Sequence, residues 1–373
     1  MTDVLAAATG YRADLEAVRR RRIEHEATAD PDGPTTASER LTLRHREVSL
    51  SGGRPDELIA LGTAVDRALE RFPAWPDLRL LRATVALSLH QTVVARAVLA
   101  AVPGLTDLPP GRVLAGDLAQ FDGDYAGARA AYLRAAEEEP GWDTDARLAP
   151  LAVATGDLAE AEDRYDAAED DLTAKQLRSF AWLRVQRAEL ARRLGDLGRA
   201  GWFLAGAEAA YPGWWYVRAA RAALDAACGR AEEAVAGYRA VLADVERPEY
   251  REALGTALAA CGQHREAAAC HTAALAEYSA SAARGEVHYL HHLAEFSADV
   301  RPDPDAAVAW AQADVRLRRN GTTLSLLAWC LYRAGRTAEA VAAVEAAEAL
   351  GAGDPRLRER AALIRQHAAD GGR

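Results

Sequence analysis

The chain is poor in the residues on which several common kinds of functional site depend. It has four cysteines in 373 residues and no Cys-x-x-Cys pair that would indicate a zinc site. We expect these cysteines to be small buried side chains in a reducing compartment. Lys175 is the only lysine among 45 basic residues, a pattern typical of a high-GC genome, and aromatic residues make up only 6%. The composition therefore favours a cytoplasmic protein.

Several further patterns are absent. No stretch approaches 18 continuous apolar residues, and the N-terminus lacks the apolar run of a secretory signal, so we expect no membrane association. No sustained alternation of apolar and polar residues indicates β-strands. The net charge of −10 argues against nucleic acid as the main partner and mildly favours a basic one.

Signatures of catalysis are also missing. The sequence contains no Gly-x-Ser-x-Gly elbow, no Gly-x-Gly-x-x-Gly following a strand and no phosphate-binding P-loop. Its carboxylates are numerous but are spread over helix surfaces, where they are usually solvated. We therefore predict that the protein is not an enzyme and has no cofactor.

A unit of about 34 residues recurs along most of the chain. In the clearest copy, Gly123 is followed by Tyr125, Ala128, Tyr132 and Ala135, at offsets of +2, +5, +9 and +12. Successive units begin 33, 34 or 39 residues apart. The other copies begin at Gly156, Gly195, Gly229, Gly262 and Gly335, and degenerate copies at Asp56, His90 and Arg301.

The physical meaning of this unit is a helical hairpin. The glycine stands where the first helix ends and the chain reverses, since glycine adopts positive φ without a Cβ clash. The small residues at +5 and +12 lie on one helical face and allow a neighbouring helix to approach closely, while the large residue at +9 fills the space between them. One hairpin cannot bury its own apolar face, so successive hairpins must stack into a solenoid.

This pattern resembles the tetratricopeptide repeat, with about nine units. The pair Leu254-Gly255, seven residues before Gly262, and the pair Ala115-Gly116 before Gly123 extend the match. The resemblance implies a bacterial, all-α, right-handed superhelical solenoid of stacked helix-turn-helix repeats. We expect residues 1–41 to form an N-terminal helix and linker, residues 42–354 the solenoid, and residues 355–373 a C-terminal capping helix and tail.

By the same resemblance, the first helices of the hairpins line a concave groove that binds a protein segment. Counting from each turn glycine, twelve residues are predicted to face this groove. They are Asp117, Gln120, Trp182, Glu189, Arg192, Tyr216, His288, His291, Glu295, Ser325, Trp329 and Tyr332. Aromatic and arginine side chains are the types that anchor recognition.

Two segments carry more than one interpretation. In His288-Tyr-Leu-His291-His292-Leu-Ala-Glu295, histidines one helical turn apart are consistent with hydrogen bonding to a partner, with a metal site that lacks a third ligand, or with solvated side chains. Trp214-Trp215-Tyr216 begins at the tryptophan of one of three Pro-x-Trp loops, and its aromatic rings either wedge between repeats or form a binding platform.

The sequence thus predicts a non-catalytic scaffold or adaptor whose groove binds a protein or peptide partner. A homo-oligomer is possible, and no bound metal is predicted. Two alternatives stay open: a metal- or small-molecule-binding enzyme or accessory protein of a specialised biosynthetic pathway, and an effector-binding transcriptional regulator. The absence of a helix-turn-helix signal in residues 1–41 counts against the regulator.

Overall fold

The structure, a computed structural model, describes residues 10–28 and 33–371, and within them the regular secondary structure is entirely helical. The chain divides into two compact units, each made of two separate stretches. The first unit comprises the chain up to Leu89 together with Leu172–Ala274. The second unit comprises His90–Asp171 together with the chain from Leu275 onward.

The chain passes from the first unit to the second, returns to the first and ends in the second. The first unit begins with α1 (Tyr11–Thr28), α2 (Pro34–Leu50), α3 (Pro55–Arg71) and α4 (Pro76–Ser88). The second unit begins with α5 (Thr92–Ala100), α6 (Pro109–Phe121), α7 (Tyr125–Glu138), α8 (Trp142–Thr155) and α9 (Leu158–Asp171). The first unit continues with α10 (Leu177–Arg193), α11 (Leu197–Ala210), α12 (Trp215–Ala227), α13 (Ala231–Leu242) and α14 (Pro248–Ala260). Helix α15 (His264–Ala283) begins in the first unit and ends in the second. The second unit ends with α16 (Leu290–Glu295), α17 (Pro304–Leu317), α18 (Gly321–Arg333), α19 (Thr337–Ala349) and α20 (Pro355–Gly371).

The turns between paired helices confirm the repeat frame. All six predicted turn glycines have positive φ angles, from 73° at Gly335 to 85° at Gly156. The residues at +5 and +12 are buried in the six copies that begin with glycine, as Ala128 and Ala135 show in the Gly123 unit, whereas some of them are only half-buried in the degenerate copies. Tyr132, at +9 between them, is fully buried. The spacing of small and large residues therefore places one face of each second helix in the core.

Each unit also contains contacts between segments far apart in sequence. In the first unit, the carbonyl oxygen of Leu50 accepts hydrogen bonds from Tyr11 Oη at 3.1 Å and from Trp215 Nε1 at 2.8 Å. Arg247 Nη1 donates to the carbonyl of Gly52 at 3.0 Å. The end of α2 is thereby joined to helices α12 and α14, a connection that nearest-neighbour stacking does not predict.

The second unit is joined in the same way. Asn320 Nδ2 donates to the carbonyl of Phe121 at 3.1 Å, and the backbone N–H of Gly321 donates to Tyr125 Oη at 2.8 Å. Farther along, the N–H of Gly353 donates to the carbonyl of Ala154 at 2.9 Å. These bonds connect the hairpins of α6–α9 to those of α16–α20.

The helices at the two ends of the described chain each bury an apolar side. Tyr11 and Val18 of α1 are buried in the core of the first unit, and Leu15 packs against it. Leu357 and Ile364 of α20 are buried against the last hairpin, as a capping helix requires. Helix α2 begins at Pro34, whose fixed φ suits the first helical turn, so residues 34–41 of the predicted N-terminal helix and linker belong to α2. Residues 1–9, which belong to the predicted N-terminal segment, lie outside the described residues.

One turn departs from the glycine rule. His90 occupies the turn position of its degenerate repeat and has φ of 58°, the only positive φ of a non-glycine residue among those described. Its ring lies 5.8 Å from that of Phe121, centroid to centroid, and its Nδ1 is buried without a hydrogen-bond partner. Burial, followed by the nearby positive charge of Arg318, lowers the pKa of His90 to about 3.

We expect Gly116→Ala to destabilise the protein by about 1–3 kcal/mol. A Cβ at position 116 would lie 2.6 Å from Cε1 of Tyr132, which has no room to move. Gly201→Ala is the matched control, because its Cβ would meet Leu224 at an ordinary 3.7 Å. It should stabilise α11 by about 0.5–1 kcal/mol through helix propensity. Urea unfolding of both variants measures this, and effects of the same sign would contradict the packing argument.

His90→Gly should reduce the sensitivity of stability to acid. The folded-state pKa of about 3 lies below the ordinary value of 6.5. The neutral ring therefore contributes stability above pH 6.5, and this contribution is lost as pH falls towards 3. Between pH 7.5 and 5, the free energy of unfolding should fall more in the wild type than in His90→Gly. The exposed His264→Gln is the control, and an equal fall in wild type and His90→Gly would refute the assignment.

Candidate functional site

The predicted groove residues fall into three separate sets. Asp117 and Gln120 lie on α6 in the second unit. A second set lies on α10 and α12 in the first unit and comprises Trp182, Glu189, Arg192 and Tyr216. The third set belongs to the C-terminal part of the second unit and comprises His288, His291, Glu295, Ser325, Trp329 and Tyr332.

The α6 pair is engaged with the repeat core. Tyr132 Oη lies 2.8 Å from Asp117 Oδ1, to which it donates, and 3.3 Å from Gln120 Oε1. Arg147 Nε also donates to Asp117, at 3.3 Å. Burial raises the pKa of Asp117, although Arg147 and the tyrosine hydroxyl oppose this effect. This carboxylate therefore fixes the ring that fills the gap between two hairpins.

The second set contains an aromatic cluster with polar edges. Tyr216 Oη accepts a hydrogen bond from Gln186 Nε2 at 2.8 Å, and burial raises the pKa of Tyr216. Trp214 and Trp215 are buried, and each of their rings contacts Tyr216. The alternative in which Trp214-Trp215-Tyr216 forms an exposed binding platform is therefore wrong, because the two tryptophans belong to the core.

The two charged members of this set form an ion pair with each other. Arg192 Nη2 lies 2.8 Å from Glu189 Oε2, one turn away on α10. Trp182, on the same helix, packs against the core of the first unit. These residues are thus half-buried and internally paired.

The position of His288 differs from the one predicted from the sequence. Helix α16 begins at Leu290, so His288 lies in the preceding turn and not one helical turn before His291. Its side chain is 8% exposed, and its Nε2 lies 3.2 Å from Ser281 Oγ. The connection after the long helix α15 delays the start of α16, and the repeat count did not account for it.

His291 points to a buried charge cluster. Its Nδ1 lies 3.0 Å from Oδ2 of Asp314, which is 1% exposed on α17. Arg318 donates to the other oxygen, Oδ1, from Nη2 at 2.7 Å and from Nε at 3.0 Å. Burial alone would raise the pKa of Asp314, but the hydrogen bonds from His291 and Arg318 outweigh it and lower the pKa.

The remaining predicted residues meet on adjacent helices, with α18 in contact with both α16 and α20. Arg356 Nη2 of α20 forms an ion pair with Glu295 Oε1 at 2.8 Å. Arg360 Nη1 donates to Ser325 Oγ at 3.4 Å, and its guanidinium carbon lies 5.4 Å from the centroid of the Trp329 ring. We call these five residues, together with Tyr332, the C-terminal face.

The aromatic residues of this face are held from several sides. Trp329 Nε1 donates to Asp299 Oδ1 at 3.0 Å, and Asp299 lies in the π-helical turn Phe296–Val300 that continues α16. The Tyr332 ring lies 5.6 Å from that of Trp329 and 5.4 Å from that of His367 on α20. Both aromatic side chains are half-buried, so part of each ring remains accessible.

Arg360 is the most unusual charge of the C-terminal face. It is 7% exposed, and burial, together with repulsion from Arg356, lowers its pKa to about 10. Glu295 faces both arginines, and it has a lowered pKa because the charges of His291 and Arg356 outweigh the effect of its burial. The face therefore contains a desolvated cation stacked on an indole ring, a combination that favours anionic or polar groups of a partner.

The two arginines of this face were not predicted from the sequence. Arg356 and Arg360 are spaced i, i+4 on the capping helix, so one helical face carries both. That spacing is a usable signal, but the repeat frame assigned α20 only the role of a cap. Asp314 was missed as well, because it lies on a second helix whose residues are not predicted to face the groove.

The metal alternative receives no support from the described part of the chain. No group of three or more His, Cys, Asp or Glu side chains there is placed to hold a metal ion. The carboxylates nearest His291 are already paired with arginines, Asp314 with Arg318 and Glu295 with Arg356. All four cysteines are free thiols, but only Cys330 is buried, so the prediction of buried side chains is wrong for the half-buried Cys228, Cys261 and Cys270. No helix among the described residues is both long and apolar enough to cross a membrane.

Several solved structures are similar to this architecture. The chain aligns with a chain of the APC/C hetero-tetramer Cut9–Hcn1 at a TM-score of 0.51 and 12% identity, over 96% of its own length and 60% of that chain. The described chain has the tetratricopeptide repeat fold. Weaker similarity links this fold to a tetratricopeptide repeat protein from Parabacteroides merdae (TM-score 0.43, 17% identity, 64% of this chain and 92% of that chain). A similarly weak match is to yeast Tom70 (TM-score 0.42, 12% identity, 100% of this chain and 97% of that chain). No family model and no curated protein matches the sequence.

Asp314→Asn should lower the free energy of unfolding by about 3–5 kcal/mol at pH 7, because it leaves Arg318 buried without its counter-charge. The folded-state pKa of Asp314 lies below its ordinary value. The stability that the carboxylate contributes is therefore present above about pH 4 and is lost as pH falls through the lower folded-state value. Denaturant unfolding at pH 7 and pH 3 measures both effects.

The control for this variant is Asp305→Asn, an exposed acid in the first turn of the same helix. It should change stability by no more than about 0.5 kcal/mol. A similar loss in both variants, or an Asp314→Asn effect that does not shrink in acid, would show that the cluster is not held by the charged carboxylate.

Proposed function

We propose that this protein is a non-catalytic interaction scaffold that binds a segment of a partner protein on the C-terminal face. The observation that carries this proposal is the half-exposed pair Trp329 and Tyr332 beside the buried cation Arg360. Aromatic and arginine side chains contribute most to recognition when they are pre-ordered and surrounded by residues that exclude water.

The surrounding contacts support pre-ordering. Trp329 is oriented by its bond to Asp299, and Arg360 is held between the Trp329 ring and Ser325. A partner segment that lies across α16, α18 and α20 would meet a fixed surface, and little side-chain entropy would be lost on binding. The charged pair of Glu295 and Arg356 lies at its edge and would set the register of that segment.

The tetratricopeptide fold is consistent with this role, because each stacked hairpin adds one more helix to an extended surface. The fold alone does not define the partner, since function on a repeat scaffold belongs to the particular side chains presented. Neither the enzyme alternative nor the regulator alternative has a specific observation in its favour within the described residues.

The test is affinity capture from the native cell with purified wild type and Trp329→Ala, followed by cross-linking to identify the contacting residues. We expect a protein that the wild type captures to be lost, or to bind at least about tenfold more weakly, in Trp329→Ala. Trp202→Ala is the matched control, since Trp202 on α11 is 61% exposed and lies outside the face. Equal capture by wild type and Trp329→Ala, or loss in Trp202→Ala instead, would place the interaction elsewhere.

A further inference from the structure

A second surface feature lies between the two helices of the first hairpin. Helices α2 and α3, with Glu26 of α1, enclose an open cleft with a volume of about 420 Å³. This volume falls within the range of about 300–1,000 Å³ found for ligand-binding pockets. The cleft belongs entirely to the first unit and shares no residue with the C-terminal face.

The rims of the cleft are basic. Arg40 and Arg44 are one turn apart on α2, and Arg67 and Arg71 are one turn apart on α3. Each pair is therefore spaced by about 6 Å along its helix. Four arginines and one glutamate line a single cleft, in a chain whose net charge is −10. The local charge is thus opposite in sign to that of the whole protein.

Two acidic residues near these rims, Glu26 and Glu39, are engaged elsewhere. Glu26 pairs with Arg22 at 3.0 Å, and Glu39 lies 2.9 Å from His25. Arg44 has a longer-range attraction to Glu57. Within the described part of the chain, Arg40, Arg44 and Arg67 form no hydrogen bond or ion pair. Three guanidinium groups therefore have donors free for a ligand.

The rest of the cleft lining is apolar, and we call it the floor of the cleft. It comprises Ala37 and Leu41 of α2, Ala64 and Ala68 of α3, and Phe72 just after α3. The alanines leave a hollow large enough for an apolar side chain of a ligand. Guanidinium groups prefer carboxylates, which they bind with two parallel hydrogen bonds. The cleft thus combines a recess for an apolar group with two rows of carboxylate-binding groups.

We propose that the α2–α3 cleft is a docking site for an acidic peptide segment of a partner protein. An apolar side chain of the segment occupies the alanine-lined floor, and carboxylates on either side of it bind the two arginine rims. Charge complementarity selects this occupant, and the distribution of arginines over two helices fits several carboxylates spread along a chain better than one compact anion. The site extends the proposed scaffold function but does not depend on the C-terminal face.

The test uses the full chain and a fluorescent peptide of about 14 residues in which glutamates at i, i+4 flank a leucine. Fluorescence anisotropy should show saturable binding that weakens with salt. A peptide with glutamine in place of every glutamate should not bind. Arg40→Gln/Arg44→Gln should raise the Kd at least about tenfold. Ala64→Leu, which fills the floor without changing the charge, should weaken binding as well.

Controls separate this site from general charge attraction and from the C-terminal face. Arg20→Gln/Arg21→Gln removes the same charge from an exposed part of α1 and should leave the Kd within about twofold. Trp329→Ala should bind the acidic peptide as wild type does, even if it loses the partner captured through the C-terminal face.

Four outcomes would overturn the proposal. The first is an equal loss of affinity in the Arg20/Arg21 and Arg40/Arg44 variants, and the second is equal binding of the glutamine peptide. The third is displacement of the peptide by inorganic phosphate or succinate at a concentration similar to the Kd of the peptide, which would identify a small-anion site. The fourth is a concentration-dependent dimer of the free protein that Arg40→Gln/Arg44→Gln abolishes, which would identify a second copy of the chain as the occupant.

Discussion

This structure depends on the close approach of antiparallel helices. Such an approach is possible only where one of the helices carries glycine or alanine, whose side chains are a hydrogen atom and a methyl group. Gly116 accommodates the ring of Tyr132 in one hairpin. In another hairpin the glycine lies on the second helix instead of the first. A Cβ added at Gly237 would lie only 2.8 Å from the Cβ of Ala222 on the first helix. Small residues on either helix therefore serve the same purpose, and the hairpins tolerate exchange between them.

A core built on alanine and glycine contacts leaves much of the recognition chemistry to long polar side chains. Arginine is the main cation, and its planar group both pairs with carboxylates and stacks on aromatic rings. Arg360 stacks on Trp329, whereas Arg318 is clamped to the buried Asp314 and lies over Phe121. Both guanidinium groups are therefore buried. Arg318 is held by a carboxylate, whereas Arg360 is held by an aromatic ring and Ser325, with Glu295 at 4.0 Å.

Contacts between distant segments add a second level of organisation. Tyr11 and Trp215 share the carbonyl of Leu50, and Asn320 bonds the end of α6 at Phe121. These bonds use side chains at helix ends and in turns, where backbone groups lack partners within their own helix. They join hairpins that are far apart in the chain, which contacts between nearest neighbours do not. At one such turn, the ring of His90 is partly buried against Phe121.

Local spacing by itself determined the all-α class, the hairpin repeat, the positive-φ turns at glycine and the buried small positions, because each depends on residues within one or two helical turns. The resemblance to the tetratricopeptide repeat, in turn, assigned His291, Glu295, Trp329 and Tyr332 to the first helices of two consecutive repeats. Only the tertiary structure decided that His288 is buried in a turn, that Arg356 and Arg360 join the C-terminal face, and that Asp314 binds His291 and Arg318. It also decided that four arginines converge on one cleft. These outcomes depend on the angle between successive hairpins and on which long side chain reaches which charge, and neither is encoded in a 34-residue period.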